Sequence, residues 1–157
     1  MCRKYLSDLS WDTVYNLKSC QFSEMLVYGT ASPAEKDSHT GVYLRNNDIS
    51  RLVQTNALIE LPVKIEHCGR PVGKIVSAWQ NGDRLDCVFR LSDDSIDSIF
   101  AQEFVKSRKC PELSLSYAVT MQHSKDGVLS GQEKEMIEVS IVKSGARENC
   151  RIYGHTN

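Results

Sequence analysis

The sequence predicts a mainly β fold: a closed, mostly antiparallel barrel with a few helices on its outside. Three observations predict it. Segments with strict two-residue alternation recur along the 157 residues, as in Leu61, Val63 and Ile65 and again in Leu113, Leu115, Tyr117, Val119 and Met121, the period of a half-buried strand. Turn formers separate these segments, "NGD" at 81–83 being the clearest hairpin signal. Only one segment, 92–109, carries a firm helical period, and many strands with few helices favour a barrel or sandwich.

In chain order, 5–20 ("YLSDLSWDTVYNLKSC") reads as a short helix, so residues 1–22 form an extra N-terminal element on a single domain spanning 1–157. "EMLVYGTA" follows as a strand, and "SPAEKDSHTG" as an exposed loop. Asp48 is placed to cap a second short helix through "ISRLVQ". "LIELPVKIEH", "PVGKIVSAWQ" and "RLDCVFRL" are three successive strands, the last two joined by the "NGD" turn. In 92–109, Ile96, Ile99, Phe100 and Phe104 share one face, with acids in the first turn and bases in the last, as the helix dipole favours. The strand "CPELSLSYAVTMQH", a turn through "SKDG", the strand "EMIEVSIVKS", the tight loop "GAREN" and a last short strand "CRIYG" complete the chain.

Composition narrows the function classes. A formal net charge of −1 with interspersed signs gives no electrostatic footprint for nucleic acid or an anionic membrane. No apolar run is long enough to span a bilayer, and the start of the chain lacks the apolar centre of a signal peptide, so a soluble, intracellular protein is expected. Six scattered cysteines without a C-x-x-C pair read as reduced thiols. Cysteine and histidine spacings resemble no metal site, and without a phosphate-binding loop no cofactor is expected.

The strand from Cys110 to His123 sorts its residues unusually. Its apolar face alternates with Ser114, Ser116, Ala118 and Thr120, a small, hydroxylic face where charged residues are usual. A serine becomes a nucleophile when a base takes its proton and a third group orients that base. Of four histidines, His67 alone closes a clear strand; His39 lies in the loop, His123 at a turn and His155 near the end. In "MIEVSIV", Ile137, Val139 and Ile141 take one face and leave Glu138 on the other with Ser140. Three neighbouring strands can thus present His67, Ser114 and Glu138 to one groove, an arrangement that periodicity permits. Taken singly, each residue has an ordinary surface role.

Ordered motifs add specificity. "LPVKIEH" followed by "PVGKIVSA", with "LSLS" some fifty residues on, resembles the capsid maturation proteases of herpesviruses, the assemblins. The resemblance runs from about Asp48 to the end, with an echo in "VYGTA". It implies a barrel of the assemblin type, a catalytic histidine at His67, a nucleophile at Ser114 and a supporting serine at Ser116. It also implies an oxyanion loop at Gly145, Ala146 and Arg147, where the family carries Gly-Arg-Arg; Ala146 keeps the backbone N–H of the arginine it replaces. The third triad member in herpesvirus enzymes is a histidine, and counting back from Gly145 its position falls on Glu138. A carboxylate there orients the imidazole, and phage prohead proteases, which resemble assemblins, use an acidic third residue.

The resemblance therefore implies a serine endopeptidase with a Ser-His-Glu triad that cuts an internal scaffold protein, and its own precursor, as a capsid matures. It also implies a homodimer, and a compartment set by lineage: the host nucleus if herpes-like, the bacterial cytoplasm if phage-like. The chain is short for a herpesvirus protease. His155 is the reserve third member. His123 lies nine residues along the same strand, about 30 Å from Ser114 at 3.3 Å per residue. Cys68 points away from its neighbour His67. The rival reading is a non-catalytic β-barrel binding or capsid-structural module.

Overall fold

A computed structural model describes residues 24–35 and 43–156. The helix expected within 5–20, the loop residues 36–42 and His39 lie outside the described residues. The described chain runs β1 (Met25–Pro33), α1 (Asn46–Gln54), β2 (Pro62–Ile65), β3 (Cys68–Asn81), β4 (Arg84–Leu91), α2 (Ile96–Lys106), β5 (Glu112–Lys125), β6 (Val128–Val142) and β7 (Ile152–His155). No helix among the described residues is long and apolar enough to cross a membrane.

The strands form one mixed sheet in the order β5-β6-β2-β3-β4-β1-β7. Every pairing is antiparallel except β2 on β6, where Val63, Lys64 and Ile65 run parallel to Val139, Ser140 and Ile141. The sheet is open, which corrects the closed barrel predicted from alternation. Its edges meet at a single bridge, Glu112 to Arg151, with Leu113 N–H donating to Cys150 O at 2.7 Å and Ile152 N–H to Pro111 O at 3.0 Å. A barrel needs a ladder at every strand boundary, and β7, four residues long, cannot match the fourteen of β5.

Val63, Ile65, Ile75, Phe89, Leu113, Val139 and Ile141 form one buried cluster with Ile49 of α1 and Phe100, Phe104 and Val105 of α2. Helix α2 starts at Ser95, whose hydroxyl accepts the Ser98 N–H at 3.1 Å. It buries Phe100, Ala101, Phe104 and Val105, whereas Ile96 is exposed and Ile99 only half-buried. The buried stripe therefore lies C-terminal to the predicted one. Helix α1 begins two residues before Asp48, which acts from the third helical position: its carboxylate accepts the Arg45 N–H at 2.9 Å.

Two irregularities shape the long hairpin β5–β6. Ser116 pairs with Glu138 but Tyr117 with Met136, so Ile137 is the extra residue of a bulge. The expected apolar triplet is broken: Val139 and Ile141 are fully buried, and Ile137 is 49% exposed. Beyond Tyr117 the hairpin leaves the core, and Met121 is exposed rather than packed. Gly73, the glycine of "PVG", runs so close to the Arg90 carbonyl that a Cβ there would overlap it.

The bulge predicts unequal costs for two isoleucines that stand four residues apart on β6. Ile141→Ala should destabilise by about 2–5 kcal/mol and Ile137→Ala by less than about 0.5 kcal/mol, measured by urea unfolding. Equal losses would contradict the bulge.

Candidate active site

His67 is placed by a turn, not by the strand end the sequence predicts. Ile65 pairs with Cys68, and the two residues between them, Glu66 (φ 49) and His67 (φ 58), are both left-handed. That is a two-residue type I′ hairpin turn. Side chains other than glycine and asparagine are disfavoured there, at about 1–3 kcal/mol each. Bonds to β6 offset the cost: Glu66 N–H donates to Ile141 O at 3.0 Å and His67 N–H to Ser140 Oγ at 3.1 Å.

The sheet register brings the partners together. Ser114 faces Ser140 and Ser116 faces Glu138 across β5–β6, while Lys64 lies beside Ser140 across β6–β2. All five share the face opposite the core, because Val63, Ile65, Leu113, Val139 and Ile141 take the other. The His67 ring closes the group, with Nε2 3.1 Å from Ser114 Oγ and Nδ1 2.7 Å from Glu138 Oε1. An ionised carboxylate only accepts, so Nδ1 carries the proton and the bare Nε2 accepts from the Ser114 hydroxyl. Ser116 Oγ, 3.1 Å from Nδ1, is a second acceptor for the same N–H.

Glu138 is buried although it faces outward, its side chain only 6% exposed beneath the turn. Burial pushes its carboxyl up, but hydrogen bonds from Ser140, His67 and Lys64 and the Lys64 charge together outweigh this and hold it below the usual carboxylate value. The oxygens divide the work: Oε1 takes His67 and, at 2.8 Å, the Ser140 hydroxyl, while Oε2 faces Lys64 Nζ at 3.4 Å.

The loop after β6 lies against β5 beside Ser114. A Cβ on Gly145 would stand 2.8 Å from Leu113 O, one residue before Ser114, so only glycine allows this approach. Three carboxylates anchor the loop: Glu66 accepts Lys143 N–H at 2.7 Å, Glu112 accepts Gly145 N–H at 2.5 Å, and Glu35 accepts Arg147 Nε–H at 2.9 Å. Arg147 also donates to Tyr117 OH at 2.7 Å. Of the three predicted oxyanion residues, Gly145 thus has its amide, and Arg147 its guanidinium, committed to other groups, and Ala146 between them is exposed.

His67, Ser114, Ser116 and Glu138 converge as the sequence predicts. His155 does not join them: it sits on β7 with Nδ1 3.1 Å from Thr156 O, and His123 pairs with Glu133 at 3.3 Å far along β5. Sequence reasoning missed Lys64, Ser140, Glu66 and Glu112. Ser140 was within its reach, being two residues from Glu138 on one strand face. Among the described residues no group of three or more His, Cys, Asp or Glu side chains could hold a metal ion.

A hydroxyl, an imidazole and a buried carboxylate in one hydrogen-bonded row have the order that activates a hydroxyl for nucleophilic attack. No family model and no curated protein matches the chain. Solved structures do. Kaposi's sarcoma-associated herpesvirus protease with a hexapeptide phosphonate inhibitor has a TM-score of 0.57 at 17% identity, over 86% of this chain and 66% of that one. Varicella-zoster virus protease has 0.55 at 15%, over 85% and 64%. The Kaposi's virus enzyme with a dimer disruptor has 0.51 at 19%, over 85% and 78%. The chain therefore has the fold of the herpesvirus proteases, and it spans somewhat less than two thirds of the first two.

The lowered pKa of Glu138 gives stability that is full above the ordinary value of 4.5 and is lost as pH falls through the lower, folded-state value. Urea unfolding of wild type and Glu138→Gln should therefore differ at about pH 5 to 6 and converge as pH falls below about 4.5. A gap that widened below about pH 4.5 would reverse the sign of the shift.

Proposed function

We propose that this chain is a serine endopeptidase of the assemblin type, working through a Ser114-His67-Glu138 triad. One observation carries the reading: the unbroken row of Ser114 Oγ, His67 Nε2, His67 Nδ1 and Glu138 Oε1 at 3.1 and 2.7 Å. Ser114 Oγ attacks the scissile carbonyl while Nε2 takes its proton, and Glu138 stabilises the imidazolium that forms. The Ala146 amide, exposed between two anchored neighbours, is the donor of that loop suited to the tetrahedral oxyanion. Collapse of the intermediate passes the proton from Nε2 to the leaving amine and leaves an acyl-serine, which water hydrolyses by the same route.

The substrate is an extended peptide. Among the described residues β5 is an edge strand, unpaired on its outer side beyond the bridge at Glu112, and an edge beside the nucleophile accepts a strand by main-chain hydrogen bonds. Following the fold, the peptide belongs to a capsid scaffold protein or to the enzyme's own precursor, cut as a herpes-like capsid matures in the host nucleus. The acidic third residue is what keeps a phage prohead lineage, and the bacterial cytoplasm, in view. The dimer disruptor bound to the Kaposi's virus enzyme supports a homodimer as the active form. Helix α2 buries its apolar face in this chain's own core, so pairing would use another surface.

A fluorophosphonate probe tests the class directly. Wild type should be labelled at Ser114, Ser114→Ala should neither label nor cleave a scaffold-derived peptide, and Ser116→Ala should keep part of the activity. No labelling at high protein concentration would leave the non-catalytic module as the better reading. Glu138→Gln should lower turnover on the order of 10²- to 10⁴-fold, with Glu138→His recovering part of the loss; near-wild-type turnover would remove Glu138 from the mechanism.

A further inference from the structure

Glu138 accepts from two nitrogen groups, only one of which the triad explains. Lys64 stands three residues before His67, on β2, and its ammonium meets the carboxylate oxygen that the imidazole does not use, at 3.4 Å. The parallel register puts it there: Lys64 lies beside Ser140 and so on the triad face. Its side chain is 29% exposed and Glu138 is 6% exposed, so the pair sits where solvent screens it only partly.

We infer that Lys64 is a fourth, positioning member of the site, which balances the charge of Glu138 and thereby sets how readily His67 takes a proton. The inference rests on the triad reading above. In the resting site, the Glu138 carboxylate and the Lys64 ammonium sum to zero beside a neutral imidazole. When Nε2 receives the serine proton, the group becomes +1. Without Lys64 it would pass from −1 to neutral, which favours the imidazolium far more. Lys64 therefore offsets part of the attraction between the carboxylate and the imidazolium formed during attack. It also keeps Glu138 ionised under the turn, so that the Nδ1 tautomer holds.

Other charges surround the turn. Glu66 accepts from the Lys143 amide; burial pushes the Cys110 thiol up, Glu66 adds to this and Lys143 and Lys109 oppose it; and Glu112 holds Gly145 on the Ser114 side. These groups are common to every variant below, so differences between variants report Lys64.

The test reads His67 in two ways: ring titration by NMR, and the acid limb of kcat/KM on a scaffold-derived peptide. Lys64→Met should raise the ring midpoint by about one pH unit and move the acid limb up with it. Lys64→Arg, which keeps the charge, should stay close to wild type. In a Glu138→Gln background, where no carboxylate remains to be balanced, the shift caused by Lys64→Met should change in size, showing that the two residues act on His67 jointly. Equal midpoints for wild type and Lys64→Met overturn the inference, as does a shift of equal size in Lys64→Arg. The readouts separate the two claims. A midpoint shift in a protein that cleaves nothing would sink the protease and leave the coupling, whereas cleavage with an unmoved acid limb would do the reverse.

Discussion

The site depends on one pairing, the short parallel ladder of β2 on β6. Parallel neighbours run their residues in step, so Lys64 falls beside Ser140 and the β2–β3 turn projects over the end of the same strand. From that position the two turn amides reach Ile141 O and Ser140 Oγ. These bonds hold two left-handed residues that would otherwise relax, and they aim the His67 ring at β5. The contacts of His67 with Ser114 and Glu138 follow from this docking, because the turn belongs to one strand pair while Ser114 and Glu138 belong to another.

The ladder also explains how a carboxylate can be buried on an outward-facing surface. The turn roofs Glu138, which removes water, and three donors replace it. Ser140 is central, since its hydroxyl donates to Glu138 and accepts from His67 N–H, so one side chain fixes both partners of the imidazole. The neighbouring loop is held on the same plan. Glu35, Glu66 and Glu112 each accept from it, and two of them lie within two residues of His67 or Ser114. The loop is therefore registered against His67 and Ser114 alike.

The solved neighbours share the fold at less than one fifth identity, so the fold is kept while most side chains differ. In this chain Glu138 is buried with the Lys64 ammonium on one oxygen and the Ser140 hydroxyl and His67 ring on the other. A buried carboxylate needs such company, because without it the lost hydration is not replaced. Glu138, Lys64 and Ser140 are thus parts of one electrostatic arrangement.

Much of this was legible in the sequence. Two-residue alternation assigned Ser114 and Ser116, and Glu138 and Ser140, to strand faces opposite Leu113, Leu115, Val139 and Ile141, because the pleat forces alternate side chains apart. The "NGD" turn, the strands around it and the helix at 96–106 were set by equally local chemistry. Tertiary structure decided the rest. Alternation cannot reveal an extra residue, so the bulge that expels Ile137 was hidden, and apolar spacing could not say where β5 leaves the core and exposes Met121. A turn of Glu66 and His67 lacks the usual glycine and asparagine, so it read as the end of a strand. Closure of the sheet depended on the reach of β7, and the roles of Lys64, Glu66 and Glu112 on which strands lie side by side. Those are contacts between segments distant in sequence, and no local period encodes them.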